Sequence, residues 1–446
     1  MKNLNPADGS ALYEFTNTSL DESNQKINKL FKDGRETQNN LTAFSRSQIL
    51  LSLAELLEGN QDKLATQVTL ETGKVIQESR MEVKRAVLTA KIASEESKRL
   101  VGESRLTNSF NPGEQAISLT QRKPYGVVFC ITPFNFPLNL ALHKIAPAFA
   151  SGNCVLYKPS DLNIELAKTL VQLCYDAGFP KECLQVIYPA VHDLNEIVKS
   201  DKISVINFTG GAKTASKIAH LAGPKKFLFE LGGNDAMAVF PGCDLNQAAN
   251  QAVSGRFGTT GQKCIANKRL YIHADIYDEF KTYLLEYTSD YNYNFPNNPL
   301  NESAKLGPLI SETAAKHVQE LVDNAIMNKA SLVVGHIRDR AYYQATILEN
   351  VLDDEELLKE ETFGPVLCLS KFTSEKELIK RMNSSHYGLQ AGVFTNDLNQ
   401  AKRLFNQLEV GTLYINQGPA NRDEYLPFGG VKSSGIGREG VKYAME

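Results

Sequence analysis

The chain has 446 residues, a length that predicts about two or three domains rather than one. Hydrophobic residues make up 42% and charged residues 22% of it, which is typical of a globular protein with a large core. The net charge of −3 provides no basic surface for nucleic acid.

The residue pattern argues against several other classes of protein. The most apolar stretch, residues 126–150, is interrupted by prolines, His143 and Lys144, so it does not predict a membrane helix. The first residues lack the apolar core of a signal peptide, and we therefore expect a cytoplasmic protein. The seven cysteines are widely spaced without a CxxC pair, which argues against disulfides and zinc, and we predict no metal site.

The first hundred residues are predicted to be helical. Helices are predicted at 21–32 and at 45–57, and the second has its apolar residues at helical spacing. Residues 105–122 alternate around Asn111-Pro-Gly, which predicts a β-hairpin. After Pro124, strands alternate with helices, and this predicts a parallel, doubly wound sheet. Its predicted strands are 126–131, 154–157, 184–188, 203–208 and 227–231, and a helix is predicted at 212–222.

A second alternation follows in the C-terminal half and predicts a second domain of the same type. The fold class is therefore predicted to be α/β, with two doubly wound parallel-sheet domains that meet near residue 232. The predicted elements of the second domain are helices 311–328 and 398–408 and strands 331–334, 361–370, 392–395 and 411–416.

Cys264 and Glu230 are the most suggestive residues in the chain. Cys264 follows a glycine-containing turn, and Glu230 ends an apolar strand before Leu-Gly-Gly-Asn. A thiolate attacks electrophilic carbon, and a carboxylate at a parallel strand end can activate the water that later releases the product. Each has a plainer explanation, since free cysteines are mostly buried packing residues and a glutamate at a sheet end can face solvent.

Four other runs carry weaker signals. Asn135 lies between two prolines, where its amide could donate to an oxyanion, worth ~3 kcal/mol, although an ordinary proline-rich loop explains it equally well. Residues 158–161 and 208–211 each follow a strand and precede a helix, where a dinucleotide binds, but the G-x-G-x-x-G pattern is absent. Residues 360–365 place a carboxylate and an aromatic ring on the same side of an extended chain, where they could hold a ribose and a nicotinamide. The alternative is a plain turn before a strand. Residues 427–440 contain five glycines, which indicates tight backbone packing and no chemistry of its own.

Taken in order, these runs resemble the aldehyde dehydrogenase superfamily of NAD(P)-dependent enzymes. The resemblance covers nearly the whole chain, from Asn-Pro-Ala-Asp-Gly at residues 5–9 to Glu446. Residues 133–140, 143–148 and 435–444 look closest to the lactaldehyde and non-phosphorylating glyceraldehyde-3-phosphate dehydrogenase branch. The resemblance implies an NAD(P)-binding domain at residues 1–104 and 123–231, with an oligomerisation hairpin at 105–122. It also implies a catalytic domain at 232–432 and a C-terminal return segment at 433–446.

The resemblance also implies a role for each matched residue. Cys264 would be the nucleophile, Glu230 the general base and Asn135 the oxyanion donor, helped by the Cys264 backbone N–H. The thiolate would add to an aldehyde, hydride would pass to the nicotinamide, and water activated by Glu230 would hydrolyse the thioester. The implied cofactor-binding residues are Lys158, Ser160, Asp161, Thr209, Gly210, Gly211, Glu361 and Phe363.

By the same resemblance, seven residues would line the substrate tunnel. Asn139, His143 and Arg422 among them suggest a small polar or anionic aldehyde. The full set is Phe136, Asn139, Leu140, His143, Lys263, Ile265 and Arg422.

The chain departs from its relatives in two ways. Relatives continue past Glu446 with a strand that pairs with a neighbouring subunit, so the C-terminus looks truncated; we expect a homodimer, and a tetramer is uncertain. Gly211 and Ala212 stand where relatives often have Ser and Thr, which weakens the inference there. Asp161 replaces a Glu that is common in NAD-specific relatives, and its carboxylate favours NAD, with NADP possible.

Two alternatives stay open. A CoA-acylating semialdehyde dehydrogenase would pass the acyl group to CoA, and Glu230 argues against it because that branch usually lacks this carboxylate. A catalytically idle NAD-binding protein on the same fold is the other.

Overall fold

The computed structural model describes residues 2–107 and 116–446 of the chain. Its N-terminal part is helical, but the helix predicted at 21–32 stops at Lys29 and a π-helical turn, Leu30–Gly34, follows. A Cβ atom on Gly34 would collide with the carbonyl oxygen of Glu182, so glycine allows this close approach. The elements here are β1 (Lys2–Leu4), β2 (Ala11–Glu14), α1 (Leu20–Lys29), α2 (Arg35–Asn40), α3 (Ala43–Gly59), α4 (Gln61–Thr72) and α5 (Ile76–Ser97).

The predicted hairpin is present as an antiparallel pair, β3 (Ser104–Thr107) and β4 (Ala116–Leu119). Its turn, predicted at Asn111-Pro-Gly, lies outside the described residues. Leu106, Ile117 and Leu119 of the two strands are 69%, 69% and 78% exposed. The hairpin therefore carries an apolar surface that the described part of the chain does not cover.

Beyond the hairpin, strands and helices alternate as predicted. The helix predicted at 212–222 has those bounds, because Gly211 and Gly223 bracket it. The elements are β5 (Val127–Ile131), α6 (Asn139–Ala150), β6 (Cys154–Lys158), α7 (Ile164–Asp176), β7 (Leu184–Val186), α8 (Val191–Ile197), β8 (Val205–Thr209), α9 (Ala212–Ala222) and β9 (Lys226–Glu230).

The alternation continues to the C-terminus. The elements are β10 (Asp235–Val239), α10 (Leu245–Phe257), β11 (Asn267–His273), α11 (Tyr277–Asn292), α12 (Glu312–Met327), β12 (Ser331–Val334), β13 (Arg338–Asp339), β14 (Tyr342–Tyr343), β15 (Thr346–Glu349), α13 (Glu356–Lys359), β16 (Val366–Phe372), α14 (Glu375–Asn383), β17 (Tyr387–Gly388), β18 (Gln390–Phe394), α15 (Leu398–Gln407), β19 (Thr412–Ile415), β20 (Val431–Lys432), β21 (Gly435–Ile436) and α16 (Val441–Met445).

The largest mismatch between the predicted and observed start of a strand is at β16. Residues 361–370 were predicted to be extended, but β16 begins at Val366. The guanidinium of Arg256 donates to three carbonyls of residues 362–366 and holds them as a loop. Pro365 also lacks the N–H that a sheet ladder needs.

Two mixed sheets organise the described residues. The first has the order β21-β9-β8-β5-β6-β7, in which only β21 runs antiparallel to its neighbour. The second has the order β12-β15-β16-β11-β10-β18-β19, in which only β12 is antiparallel. The two doubly wound sheets confirm the predicted α/β class.

The position of β5 in the first sheet determines where a site can form. It lies between β6 and β8. The strands that follow it in the chain, β6 and β7, extend the sheet on one side, and β8 and β9 extend it on the other. At such a switch point the carboxyl ends of neighbouring strands leave a crevice. β5 itself is buried on both faces, as parallel strands covered by helices are.

A search of the helices within residues 2–107 and 116–446 finds none with the length and apolarity to span a bilayer.

Candidate active site

A cavity of about 310 Å³ opens at this crevice and brings the predicted catalytic residues together. Asn135 follows β5, and Glu230 ends β9, so both come from carboxyl ends of the first sheet. Cys264 comes from the loop before β11 of the second sheet. The lining also includes the predicted residues Thr209, Gly210, Gly211, Glu361, Phe363, Phe136, Asn139, Leu140, Lys263, Ile265 and Arg422.

The loop that presents Cys264 has an uncommon backbone. Thr259 and Thr260 both adopt positive φ angles of 53°, which β-branched residues rarely do. The carboxylate of Glu78 accepts the Thr259 N–H at 2.8 and 2.9 Å, and the Thr260 hydroxyl donates to the Gly307 carbonyl at 3.0 Å. Strained residues of this kind persist where the surroundings fix them, and they cluster at functional sites.

The Cys264 thiol is partly exposed to the cavity. Burial, followed by the charge of Glu361, raises its pKa to about 12, while the Lys268 ammonium opposes this shift. The thiol is therefore neutral at pH 7 in this geometry, and it needs added positive charge nearby to ionise.

Glu230 is only 3% exposed, and neither of its carboxylate oxygens has a hydrogen-bond partner among the described residues. The nearby Glu439 N–H does not serve it, since it donates to the Phe428 carbonyl at 2.6 Å. Burial, and then the negative charge of Glu439, raises the pKa of Glu230 well above its usual value. A buried carboxyl group without partners that faces a cavity has the properties of a general base held for a water or substrate proton.

The glycine-rich run that showed no chemistry in the sequence forms the wall behind Glu230. Strand β21 pairs with β9, and Gly435 lies opposite Glu230. A Cβ atom on Gly429 would stand 2.8 Å from Glu230 Oε1. The spacing of the glycines was the available signal, because close backbone approach needs residues without side chains.

Asn135 is fixed beside the cysteine loop. Its Nδ2 donates to the Gln262 carbonyl at 2.7 Å, and the side chain of Gln262 accepts the Ile310 N–H at 2.9 Å. The amide has a second hydrogen, and Asn135 lines the cavity, so that hydrogen can serve an oxyanion on the substrate.

Buried charged residues surround the far side of the cavity. Glu439 accepts from Lys144 Nζ at 2.6 Å and from Arg422 Nη2 at 3.1 Å. Burial acts against its ionisation, but these two cations outweigh burial and lower the pKa of Glu439 to about 2. Glu424 accepts from Arg85 Nε at 2.6 Å. The positive charge of Arg422 is thus balanced within the protein.

His143 was predicted to line the tunnel, and the structure places it behind the lining. Its ring is fully buried, and Nε2 lies 2.6 Å from Glu424 Oε2. Burial, followed by the charge of Arg422, lowers the pKa of His143. It therefore contacts the buried charged residues, and Asn139 stands in the lining at this point.

The proposed cofactor residues form two groups. Thr209, Gly210 and Gly211 lie in the cavity, whereas Lys158 Nζ pairs with Asp161 Oδ1 at 2.8 Å outside its lining, next to Ser160. A dinucleotide fits these features, because the buried Thr209 hydroxyl has no partner in the described chain and α9 begins without a side-chain cap. An uncapped helix N-terminus attracts phosphate.

Comparison with known proteins identifies the chain. The model of the aldehyde dehydrogenase family matches residues 1–446. The chain belongs to the aldehyde dehydrogenase family. Its membership confirms the resemblance seen in the sequence, and it makes the protein an oxidoreductase that acts on aldehydes with NAD or NADP.

Individual relatives extend over almost the same length as this aldehyde dehydrogenase. Sulfoacetaldehyde dehydrogenase from Neptuniibacter caesariensis is 43% identical over 99% of this chain and 96% of its own. 3-Sulfolactaldehyde dehydrogenase from Priestia aryabhattai is 38% identical over 94% of this chain and 88% of its own. The crystal structure of glyceraldehyde-3-phosphate dehydrogenase GapN from Methanocaldococcus jannaschii with NADP is 36% identical, with a TM-score of 0.93 over 100% of this chain and 96% of that one.

One cation in the tunnel lining of this aldehyde dehydrogenase differs from Arg85 and Arg422, which pair with carboxylates. Lys263 lines the cavity and forms no ion pair with any described residue; its nearest polar partner is the Ser254 carbonyl at 3.5 Å. Burial lowers its pKa to about 8, and the charge of Glu78 opposes that shift. This Nζ contact is to α10, outside the lining of the catalytic cavity, so the ammonium group would reach an anion in the cavity only after the side chain turns toward it.

Sequence reasoning missed five charged residues around the site. Most of their charged partners lie far away along the chain, so local patterns did not reveal them. Glu439 lay in the glycine-rich run, where its position before Gly440 was the only signal. The five are Arg85, Lys144, Lys268, Glu424 and Glu439.

Proposed function

We propose that this aldehyde dehydrogenase oxidises a small anionic aldehyde to the carboxylate through a covalent adduct on Cys264. The observation that carries the proposal is the partnerless, buried carboxyl group of Glu230, which faces the same cavity as the thiol. Water must deacylate the enzyme in this reaction, and a carboxyl group in such surroundings is suited to activate it.

The steps follow from the placement of the side chains. Cys264 loses its proton to solvent in the cavity and its sulfur bonds to the aldehyde carbon. The amide of Asn135 and the Cys264 backbone N–H stabilise the resulting oxyanion, each by ~3 kcal/mol. The hydride acceptor for the same carbon would be NAD(P), which Thr209, Gly210 and Gly211 would hold in the cavity. Glu230 then takes a proton from water, the hydroxide adds to the thioester, and the thiolate departs as the acid forms.

The surroundings of the tunnel support an anionic substrate. Lys263 has no carboxylate partner, and Arg85, which pairs with Glu424, lines the same cavity. The relatives named for sulfoacetaldehyde and 3-sulfolactaldehyde suggest a sulfonate as the charged group. The Asn139 amide accepts from Thr89 and donates to Glu424, and its second N–H remains for a hydroxyl group on a short chain.

For the cofactor, we propose NAD. The Asp161 carboxylate, in the turn after β6, accepts from Lys158 and leaves little cationic charge for a 2′-phosphate. A carboxylate here hydrogen-bonds a free ribose 2′-OH and repels the phosphate of NADP. Glu361, in the cavity, would hold the second ribose, near Phe363.

A panel of aldehydes tests this proposal. Purified enzyme is assayed with sulfoacetaldehyde, 3-sulfolactaldehyde, lactaldehyde and propionaldehyde, each with NAD and with NADP, by following reduced nicotinamide. The anionic aldehydes with NAD should give the highest kcat/KM. Equal values for propionaldehyde would remove the case for an anion site, and a requirement for CoA would replace hydrolysis with acyl transfer.

A further inference from the structure

Lys268 is the least explained charged residue near the nucleophile. It is the second residue of β11, its side chain is 1% exposed, and it does not line the cavity. A buried ammonium group is costly unless its hydrogen bonds are satisfied, so its contacts indicate what it does.

Two of its contacts are to the backbone of the cysteine loop. Nζ donates to the Cys264 carbonyl at 2.6 Å and to the Lys263 carbonyl at 3.0 Å. The peptide between these two residues is trans and planar, so its C=O and N–H point in opposite directions. Because Lys268 holds the Lys263 carbonyl on one side, the Cys264 N–H points to the other. This N–H is the backbone donor of the proposed oxyanion site.

Its third contact reaches the cofactor side of the site. Nζ lies 3.5 Å from Glu361 Oε1, which also accepts the Gly233 N–H at 3.1 Å. A Cβ atom on Gly232 would stand 2.5 Å from Glu361 Oε2, so the carboxylate is folded back against this turn. Lys268 therefore bridges the proposed ribose ligand and the nucleophile loop.

We propose that Lys268 is a positioning residue that couples the occupancy of the cofactor site to the ionisation of Cys264. This inference rests on the proposed roles of Cys264 and Glu361. When ribose hydroxyls engage the Glu361 carboxylate, less of its charge acts on the ammonium group. More of the positive charge of Lys268 then acts on the cysteine, and the thiolate is stabilised when cofactor is present.

Other charged groups also face this cluster. Asp235 of β10 and Glu230 of β9 act on Cys264 from the sheet ends, and both raise its pKa, as Glu361 does. Arg256 of α10 and Asp235 act on Lys268 itself. None of these residues contacts both the cysteine loop and Glu361 in the described hydrogen bonds, so the bridge is specific to Lys268.

The experiment measures the pH midpoint at which iodoacetamide alkylates Cys264, by mass spectrometry of its peptide, with and without ADP-ribose. ADP-ribose supplies the ribose without the positively charged nicotinamide, because that charge would lower the pKa of the thiol by itself. In the wild type, ADP-ribose should lower the midpoint. In Lys268→Met the midpoint should rise by about one unit or more, seen as alkylation about tenfold slower or more at a fixed pH below it, and ADP-ribose should no longer change that rate.

Lys225→Met is the matched control. Lys225 also donates to two backbone carbonyls, those of Ser200 and Ile203, but at the amino end of β9. Its loss removes comparable contacts, and the Cys264 midpoint and its response to ADP-ribose should match the wild type.

Glu361→Gln keeps the test decisive if Lys268→Met does not fold. It should lower the midpoint, because a negative charge near the thiol is lost, and it should abolish the response to ADP-ribose. An unchanged midpoint in folded Lys268→Met, a persisting response to ADP-ribose, or a thiol at position 264 that does not titrate would each overturn the inference. Alkylation needs no aldehyde, so an enzyme that titrates as expected but oxidises none of the aldehydes would contradict the proposed function alone.

Discussion

The Glu230 carboxyl group has no hydrogen-bond partner in the described chain. A substitution there breaks no hydrogen bond to the described residues, so it can test the proposed deacylation step separately from the proposed attack by Cys264. Glu230→Gln keeps the shape of the side chain but cannot take a proton from water. We expect a burst of reduced cofactor, with an amplitude near one per active site, followed by a stall at the thioester. Rapid mixing under saturating aldehyde measures both phases.

Cys264→Ala provides the control for that burst, since it should produce no reduced cofactor. Loss of the burst in Glu230→Gln would assign the carboxylate an earlier step, removal of the thiol proton. Either result separates acylation from deacylation.

Lys263 predicts a pH dependence for an anionic substrate. Its pKa is lowered to about 8, so the ammonium charge is present below that pH and is lost as the pH rises through it. KM for sulfoacetaldehyde should therefore increase above about pH 8. Lys263→Met should raise KM by roughly tenfold or more at pH 7 and remove this dependence.

Propionaldehyde serves as the comparison for that measurement, because it carries no charge. Its KM should be almost the same in the wild type and in Lys263→Met. A parallel increase in both KM values would mean that Lys263 shapes the tunnel and does not bind an anion.

At the scale of elements, the packing of β21 on β9 should be sensitive to one methyl group. A Cβ on Gly429 would lie 2.8 Å from Glu230 Oε1, so Gly429→Ala must displace that carboxyl group or the segment behind it. Steady-state turnover should fall while the burst persists, because deacylation depends on the position of Glu230. Gly59→Ala, at the end of α3 where nothing lies within 4 Å, should leave both unchanged.

The start of α6 depends on a buried ion pair. Glu82 accepts the N–H groups of Leu138 and Asn139 at 2.9 and 3.2 Å and pairs with Lys74, whose Nζ lies 3.8 Å from the centre of the Phe136 ring. Glu82→Gln leaves that lysine buried without its partner. The free energy of unfolding should fall by about 3–5 kcal/mol in a denaturant titration.

An exposed pair offers the reference for that titration. Glu58 of α3 lies 3.1 Å from Lys91, and both side chains are largely exposed. Glu58→Gln should change the free energy of unfolding by less than about 1 kcal/mol. Equal effects of the two substitutions would show that the pair at α6 does not anchor the helix.

Local patterns predicted most elements, and the errors come from contacts between residues far apart in the chain. The helix at 212–222 was bounded by glycines that the sequence displays. The start of β16 was misplaced because Arg256 captures carbonyls of residues 362–366 from another element. The turn at Leu30–Gly34 likewise depends on contact with Glu182, which sequence periodicity does not contain.

The residues of the site show the same difference between local patterns and long-range contacts. Strand ends brought Asn135 and Glu230 to one edge, which alternation of elements could predict. The pairs Lys144–Glu439 and His143–Glu424 join residues 295 and 281 positions apart, so they depend on the whole fold. The catalytic roles themselves stay predictions until the kinetics above are measured.

At the scale of the whole molecule, the hairpin predicts self-association. Ile117 and Leu119 of β4 are exposed apolar residues on a thin two-stranded element, which is marginal alone in water. Ile117→Ser with Leu119→Ser should reduce the mass measured by light scattering. Val191→Ser on α8, where the valine is 71% exposed, should leave the mass unchanged.

The pairing of β21 with β9 also has a consequence for the order in which the enzyme is made. A ribosome releases the chain from its N-terminus, so the strand that carries Glu230 and the loop that carries Cys264 emerge well before residues 427–439. Until that segment arrives, Gly429 and Glu439 are missing from the walls of the cavity, and Glu230 stays open to water. The cavity is therefore completed late in synthesis, and an incomplete chain that holds Cys264 lacks the enclosed carboxyl group that we propose as the base.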